Sequence, residues 1–366
     1  MGFLWQRYRD QFPVTANLTY LNHAAVTPLV KPAAEAMKAL AEDACHWGSL
    51  HYDEWLQAYE GLRVSAAKLI GAHRDEIAIV KNTSEGIATV ALGLDWREGD
   101  RIVAFREEFP ANYYIWERVG GGRVAVEWLS IHDPLEKIEA ACRGARLLAI
   151  SYVNYLSGYT VDLNAIGEIC RRHDVFYFVD AIQGLGALPL DVEAAHIDAL
   201  AADGHKWMLG PEGCGILYLR RDRMDSVEPV EFGWTNVRHY ADYASRDTTL
   251  RSDAGRYEPG TLNTIGIYGL RASIEFLNQV GIGEIAPAVR GLARRIEEGV
   301  RGKGYEVLES GSGIVSFRKP DTDSRVIVAA LRNERIVAAP RQGFVRTSPH
   351  FYIAPEEIDR MLDVIP

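Results

Sequence analysis

The feature of this sequence that most constrains its fold is a series of short apolar segments separated by stretches of helical length. These segments are rich in β-branched and aromatic residues and are five to seven residues long. They cover residues 76–80, 101–105, 124–129, 147–153, 175–181, 198–203 and 215–220. Between several of them lie amphipathic stretches such as 163–173, whose apolar residues recur at helical spacing. The alternation predicts an α/β fold with a mostly parallel sheet and helices on both of its faces.

The pattern changes after about residue 250. Two long helices, two short strands and a last helix with an acidic first turn are predicted there, without the parallel repeat. These elements cover residues 264–281, 288–304, 305–310, 313–319 and 354–362. We therefore expect a large domain over 21–255 and a smaller α+β domain over 256–366. The N-terminal segment 1–20 is expected to pack with the small domain.

The composition of the chain argues against several classes of binding partner. The 366 residues carry a net charge of −10, whereas binding to nucleic acid or to an anionic membrane needs clustered Lys and Arg. No apolar stretch approaches the roughly 20 residues that cross a bilayer. The four cysteines, Cys45, Cys142, Cys170 and Cys214, lack metal-type spacing. We expect no nucleic acid, membrane or metal partner, and a cytoplasmic protein with reduced thiols.

Three titratable residues, Asp203, His205 and Lys206, follow one another at the end of the sixth apolar segment. Ligands of parallel sheets bind beyond the carboxyl ends of the strands, where Asp180 also lies. A lysine in a partly buried crevice has a lowered pKa and attacks carbonyls, and a nearby carboxylate can hold the protonated ring nitrogen of pyridoxal phosphate. From Lys206 and Asp180 alone, an exposed lysine and a helix-capping aspartate are an equally good interpretation.

Eight motifs change that balance. In order along the chain they are YLNHAAVTP (20–28), NTSEGI (82–87), EFPAN (108–112), VNYLSG (153–158), VDAIQGLG (179–186), GHKW (204–207), EPGTLNT (258–264) and RTSPHFY (346–352). Through them the sequence resembles the class V aminotransferases, which are pyridoxal-phosphate enzymes of fold type I. The similar members are cysteine desulfurase-like, isopenicillin N epimerase-like and kynureninase-like. The resemblance implies this cofactor, an amino-acid substrate and a homodimer with shared active sites.

The resemblance assigns roles around the cofactor ring. Lys206 would hold the cofactor covalently and move the α proton of the substrate, and Asp180 would pair with the pyridinium nitrogen. Gln183 would donate a hydrogen bond to the phenolic oxygen, although it also fits the first turn of a helix. His205 would contact the phosphate or orient Lys206, and a structural histidine is the alternative. We count Lys206, Asp180 and His205 as catalytic candidates.

Other residues are candidates for binding the cofactor. Thr83 and Ser84 open a helix, where free N–H groups and the helix dipole favour an anion such as phosphate. Phe109 takes the position of a stacking histidine and can stack without exchanging protons, or it is an ordinary core residue. Thr261 matches a residue that reaches the phosphate of the neighbouring subunit.

Two departures from the family pattern matter. Asp203 replaces a serine that contacts phosphate, so we expect its carboxylate to turn away or to pair with His205. Residues 336–346, where cysteine desulfurases carry a catalytic cysteine, contain none, which disfavours desulfurase chemistry.

For the substrate, Arg346 matches the arginine that grips the α-carboxylate, since a planar fork suits a carboxylate. A surface salt bridge is its alternative role. Asn154 or Tyr155 is expected near the substrate carboxylate or the phenolic oxygen, with Asn154 favoured. Further substrate-facing candidates are His23, His51, Asn22, Tyr52 and Trp234.

These motifs indicate a cofactor and leave the reaction open. The leading expectation is an aminotransferase acting on a small amino acid. The first alternative is a β-lyase or epimerase that uses the same cofactor, and a catalytically silent protein of the same fold is another. A nucleotide-binding protein is disfavoured because no glycine-rich phosphate loop follows the first strand.

Overall fold

The computed structural model describes residues 3–122 and 124–366, which contain eleven α-helices and thirteen β-strands. The helices are α1 (Leu4–Tyr8), α2 (Lys31–Trp47), α3 (Tyr52–Ile70), α4 (Thr83–Gly93), α5 (Pro110–Gly120), α6 (Leu135–Cys142), α7 (Leu163–Arg172), α8 (Thr264–Val280), α9 (Ile282–Gly302), α10 (Ser324–Asn333) and α11 (Pro355–Val364). The strands are β1 (Thr19–Tyr20), β2 (Ile77–Val80), β3 (Arg101–Phe105), β4 (Ala125–Leu129), β5 (Leu147–Ser151), β6 (Phe176–Asp180), β7 (Ala199–Asp203), β8 (Gly215–Leu219), β9 (Glu306–Val307), β10 (Val315–Arg318), β11 (Ile336–Val337), β12 (Ala339–Arg341) and β13 (Phe344–Thr347).

All seven predicted apolar segments form strands of one central sheet, in the order β2-β8-β7-β6-β5-β3-β4. The neighbours from β7 to β4 are parallel, whereas β8 runs antiparallel to both β7 and β2. Six strands therefore point the same way and one is reversed. The predicted fold class is confirmed.

The sheet separates two apolar cores, which explains why its strands are apolar on both faces. Alternate residues of β6 enter different cores: Tyr177 and Val179 enter one, and Phe176 and Phe178 the other. Helices α3, α7 and α8 contribute to the first core, and α4 and α5 to the second. This packing holds the carboxyl ends of β5, β6 and β7 side by side.

The later part of the chain forms an antiparallel sheet in the order β12-β13-β10-β9 with α9, α10 and α11, as the predicted α+β pattern requires. The N-terminal segment contacts this part. β1 pairs in parallel with β11, Arg9 Nη1 lies 2.6 Å from Glu357 Oε2, and the Phe12 ring stacks on Tyr352 at 3.7 Å. The domain limits themselves stay a prediction, because α8 lies beyond residue 255 and packs against α2 and α3.

Among residues 3–122 and 124–366, no helix combines the length and the apolar character that a membrane span requires.

Candidate active site

Lys206 lies in the loop after β7, half-buried, with its Nζ 5.8 Å from the centroid of the Phe109 ring. Burial lowers the pKa of Lys206 to about 8; the charge of Asp180 opposes this shift, and that of Arg346 adds to it. A lysine with this pKa is neutral in about a tenth of the molecules at pH 7, far more often than an ordinary lysine, and only the neutral amine attacks a carbonyl.

Asp180 ends β6 and is buried. Its Oδ1 accepts a hydrogen bond from the Ile182 backbone N–H at 3.0 Å, and its Oδ2 accepts one from Asn112 Nδ2 at 3.3 Å. Burial raises the pKa of Asp180 to about 6, while the Ile182 N–H and the charge of Lys206 pull it down. The carboxyl is therefore mostly ionised at neutral pH and can hold a cation.

Gln183 and Asn154 are both buried amides, and they differ in how much hydrogen-bonding capacity is left. Gln183 Nε2 donates to the Ala24 carbonyl and its Oε1 accepts from Trp207 Nε1, both at 3.0 Å, so one N–H of Gln183 remains for a ligand. Asn154 Nδ2 donates to the Glu107 carbonyl at 2.7 Å, and its Oδ1 accepts from Leu156 N, Ser157 N and Ser157 Oγ. Asn154 thus shapes the loop after β5 and retains only one N–H.

The predicted phosphate seat is the first turn of α4. Asn82 Oδ1 caps the helix by accepting from Glu85 N at 2.9 Å, which leaves the N–H groups of Thr83 and Ser84 at the helix start. Thr83 Oγ1 accepts a hydrogen bond from Asp203 N at 3.0 Å, and this bond ties the helix to the end of β7. Ser84 is exposed. The turn therefore presents the donors that an anion requires.

Asp203 and His205 lie beside this turn. Asp203 Oδ2 is 3.0 Å from His205 Nδ1, an ion-pair distance, although the angles do not make it a hydrogen bond. Asp203 Oδ1 and His205 Nδ1 are both buried without a hydrogen-bond partner. The carboxylate thus faces the imidazole, as the expected pairing requires.

Arg346 lies in β13, is 2% exposed and has an incomplete set of partners. Its Nη1 donates to the Tyr155 carbonyl at 2.7 Å, whereas Nε and Nη2 are buried and without partners. Burial and the charge of Arg341 lower the pKa of Arg346 to about 10. A buried guanidinium without a counter-ion is costly, so the fold keeps two donors for an anion that it does not itself supply. A carboxylate matches these two donors.

Tyr155 lines a cavity of about 490 Å³ and contacts Phe109, the ring that faces Lys206. The two rings meet edge to face with centroids 5.3 Å apart, and Gln342 Nε2 donates to the Tyr155 hydroxyl at 2.7 Å. Phe109 is 46% exposed, which argues against the core alternative. Its ring faces the Lys206 amine instead.

The structure does not bring His23 to the site as a substrate-facing residue, contrary to expectation. Its imidazole is fully buried, with Nδ1 2.8 Å from the Ser348 carbonyl and Nε2 2.8 Å from the Tyr352 hydroxyl. Burial and the charge of His350 lower the pKa of His23 well below its usual range. With both nitrogens engaged, His23 joins the N-terminal loop to the end of β13. The backbone of Asn22 forms an isolated parallel β-bridge with Ser348.

The other candidates lie away from this cluster. His51 directly precedes α3, and its Nδ1 lies 2.6 Å from Asp43 Oδ1. Tyr52, Trp234 and Thr261 line a groove of about 280 Å³, none of whose lining residues belongs to the cluster around Lys206. Thr261 also lines a second cavity of about 150 Å³, together with Lys81 and Glu85 at the start of α4.

Sequence reasoning missed one member of the site. Glu108 is buried and hydrogen-bonded to Ser151, next to Asp180. It stands in the motif EFPAN, but its link to Asp180 requires the strand register. No cluster of three or more His, Cys, Asp or Glu side chains arranged for a metal ion occurs within 3–122 and 124–366.

The sequence matches the model of a known protein family over most of its length. The family model "Aminotransferase class-V" matches residues 19–361. The chain belongs to the class-V aminotransferase family. It is 30% identical to the uncharacterized aminotransferase YcbU of Bacillus subtilis (strain 168), over 100% of this chain and 98% of YcbU.

Solved structures of the family agree with this assignment. The apo cysteine desulfurase from Thermococcus onnurineus NA1 superposes with a TM-score of 0.90 at 28% identity, covering 98% of this chain and 96% of that one. A C-DES mutant with glycine covalently linked to its pyridoxal-phosphate cofactor has a TM-score of 0.90 at 25% identity, covering 97% and 98%. A second C-DES structure is a complex of this cystine C–S lyase with its product cysteine persulfide.

This class-V enzyme therefore depends on pyridoxal phosphate and acts on an amino acid. The names of its relatives leave the reaction open between transferase and lyase, and they leave desulfurase chemistry open as well.

Proposed function

We propose that this class-V enzyme is an aminotransferase for a small amino acid. The observation that carries the proposal is Arg346, whose Nε and Nη2 are buried without partners in the cluster that contains Lys206 and Asp180. A substrate α-carboxylate would accept hydrogen bonds from these two donors, and this would fix the orientation of the Cα–H bond.

Pyridoxal phosphate, when bound, supplies an electron sink that stabilises negative charge at Cα. In the proposal, Thr83, Ser84 and His205 hold its phosphate, Gln183 donates to its phenolic oxygen and Asp180 pairs with its ring nitrogen. Lys206 takes the α proton and returns it, because Phe109 stacks where relatives place a histidine and cannot exchange protons.

A C–S lyase is the second candidate, and a specific observation favours it. The hairpin of β12 and β13 turns at Gln342 and Gly343, and residues 336–346 contain no cysteine that could take up sulfur. C-DES is a cystine C–S lyase, and one of its structures holds cysteine persulfide. A lyase that releases sulfur within a small product needs no such cysteine.

Absorption spectroscopy separates the candidates. The purified enzyme is loaded with pyridoxal phosphate, titrated with single amino acids, and compared with Lys206→Ala after borohydride reduction. An aminotransferase converts the visible band to that of pyridoxamine phosphate and yields the oxo acid. A lyase keeps the band and releases a side-chain fragment, and an epimerase releases the opposite enantiomer. A wild-type protein that acquires no visible band with added cofactor would refute the proposed function.

We also propose a homodimer in which Thr261 of each chain contacts the cofactor phosphate of the other. Thr261 is exposed and lines a surface groove with Trp234 and Tyr243. Large apolar side chains on the same side of the chain, among them Trp234 and Tyr243, are exposed as well. The expected cytoplasmic location stays a prediction.

A further inference from the structure

Glu108 is a buried carboxyl to which amino-acid binding and proton transfer assign no role. It precedes Phe109 at the start of α5 and is 8% exposed. Its Oε1 accepts a hydrogen bond from the Ser151 backbone N–H at 2.6 Å, and its Oε2 accepts one from the Ser151 hydroxyl. Both oxygens are therefore fixed against the end of β5.

Hydrogen bonds connect this carboxyl to Asp180. Ser151 and Asp180 are paired in register on β5 and β6. Asn112 Nδ2 lies 3.4 Å from Ser151 Oγ and 3.3 Å from Asp180 Oδ2. Trp116 Nε1 donates to Asn112 Oδ1 at 3.2 Å, which turns the amide NH₂ toward the carboxyl side. Glu108, Ser151, Asn112 and Asp180 thus form one continuous hydrogen-bonded chain, in which only Ser151 is half-buried.

Two buried carboxyls that are linked through the same hydrogen bonds do not both ionise easily. Burial raises the pKa of Glu108 to about 7, against the bonds from Ser151, and the charge of Asp180 raises it further. Asp180 faces Lys206, whose charge favours the ionised form. On its other side Glu108 borders the cavity lined by Arg106, Glu107 and His132. Near pH 7, Glu108 is therefore about half protonated, whereas Asp180 is mostly ionised.

We propose that Glu108 is a positioning residue that sets the charge and orientation of Asp180 through Ser151 and Asn112. In this way it controls how strongly Asp180 holds the protonated ring nitrogen of the cofactor. The inference rests on the role given to Asp180 in the proposed function. Protonated Glu108 leaves Asp180 as a single anion; ionised Glu108 adds a second negative charge and favours cations nearby.

Glu108→Gln tests the inference because it keeps the shape and the acceptor for Ser151 N but removes the titration. Glu107→Gln is the matched control. Glu107 is the adjacent glutamate, and its carboxylate accepts from Ser130 Oγ and Ile131 N. The first readout is the melting temperature of the cofactor-free protein between pH 4.5 and 8.

The sign of the stability effect follows from the raised pKa. Stability from neutral Glu108 is fully present below the ordinary glutamate pKa and is lost as pH rises through about 7. The melting temperature of the wild type should therefore fall relative to Glu108→Gln across this window. Glu107→Gln should run parallel to the wild type.

The second readout is the pH midpoint of the visible band of the cofactor-loaded protein without substrate. Removing the negative charge that Glu108 carries when it is ionised should lower this midpoint in Glu108→Gln by about half a pH unit or more. Ser151→Ala, which keeps both carboxyls and breaks the bridge, should also shift it. Superimposable curves for Glu108→Gln and wild type in both readouts would overturn the inference. A wild type without any visible band would instead contradict the proposed function, and the cofactor-free titration would still test Glu108.

Discussion

At Lys206, burial and the charge of Arg346 outweigh the attraction of Asp180, so the pKa falls to about 8. We expect the rate of cofactor capture by the cofactor-free protein to follow the neutral amine, rising about tenfold between pH 7 and 9 and then levelling off. Stopped-flow absorbance measures this rate. A rate still rising steeply above pH 10 would mean an unperturbed lysine.

The lowered pKa of Lys206 also predicts how the stability of the protein depends on pH, and the direction is opposite to that for Glu108. A lysine with a lowered folded pKa contributes stability that is present above its ordinary pKa and lost as pH falls through about 8. Lys206→Ala should therefore raise the melting temperature of the cofactor-free protein at pH 7, with a smaller gain at pH 10. Equal gains at both pH values would argue against a charge effect.

A substitution of Arg346 should weaken substrate binding without lowering the thermal stability of the protein. Arg346→Gln removes two unpaired buried donors, so we expect unchanged or higher thermal stability, while KM for the amino acid rises about 100-fold from loss of a charge-assisted contact. Arg318→Gln is the control, because Arg318 is exposed and paired with Glu306 on the neighbouring strand. Steady-state kinetics measure KM, and thermal melting measures the stability of each variant. An unchanged KM would show that another group holds the carboxylate.

Some of these residues follow from the sequence and others do not, for a physical reason. Lys206 and Asp180 were predictable because each ends or follows a buried apolar strand, and parallel strands end at one edge. His23 was misjudged because a motif does not reveal burial, which here engages both ring nitrogens. Glu108 was missed because its link to Asp180 runs through the register of β5 and β6.

At the scale of elements, the position of α4, the helix proposed to hold the phosphate, depends on Gly86. A Cβ at Gly86 would lie 2.7 Å from Ala201 Cβ on β7, and an alanine side chain cannot rotate away. We expect Gly86→Ala to displace α4, weaken cofactor binding about tenfold and destabilise the protein by about 1–3 kcal/mol. Gly291→Ala in α9, with open space around the added methyl, should stabilise by about 0.5–1 kcal/mol. Cofactor titration and chemical unfolding measure both effects. Wild-type cofactor affinity in Gly86→Ala would contradict the role of this contact.

Element length decides which strands could be predicted. Six of the seven central strands have four or five buried residues each, enough for a recognisable apolar run, whereas β4 has one buried and three half-buried residues. β1 and β11 have two residues each, and β12 has three. Such strands are defined by their partners, so the pairing of β1 with β11 and the β12–β13 hairpin beside Arg346 were not visible in the sequence.

On the scale of the whole molecule, exposed apolar side chains indicate where a second chain would bind. Trp47, Leu50, Phe232, Trp234 and Tyr243 are each 47–80% exposed, although large apolar side chains usually bury most of their area. Two of them, Trp234 and Tyr243, line the groove that contains Thr261. We therefore expect light scattering to give about twice the mass of one chain.

The double variant Phe232→Glu/Tyr243→Glu should be monomeric, since burying two carboxylates in an interface is costly. Val326→Glu, an equally exposed site on α10, is the control and should remain dimeric. Because Thr261 is proposed to act on the phosphate of the other chain, the monomeric variant and dimeric Thr261→Ala should both bind the cofactor about tenfold more weakly. A monomer that binds cofactor as tightly as the wild type would mean that each chain completes its own phosphate seat. A double variant that stays dimeric would place the interface elsewhere.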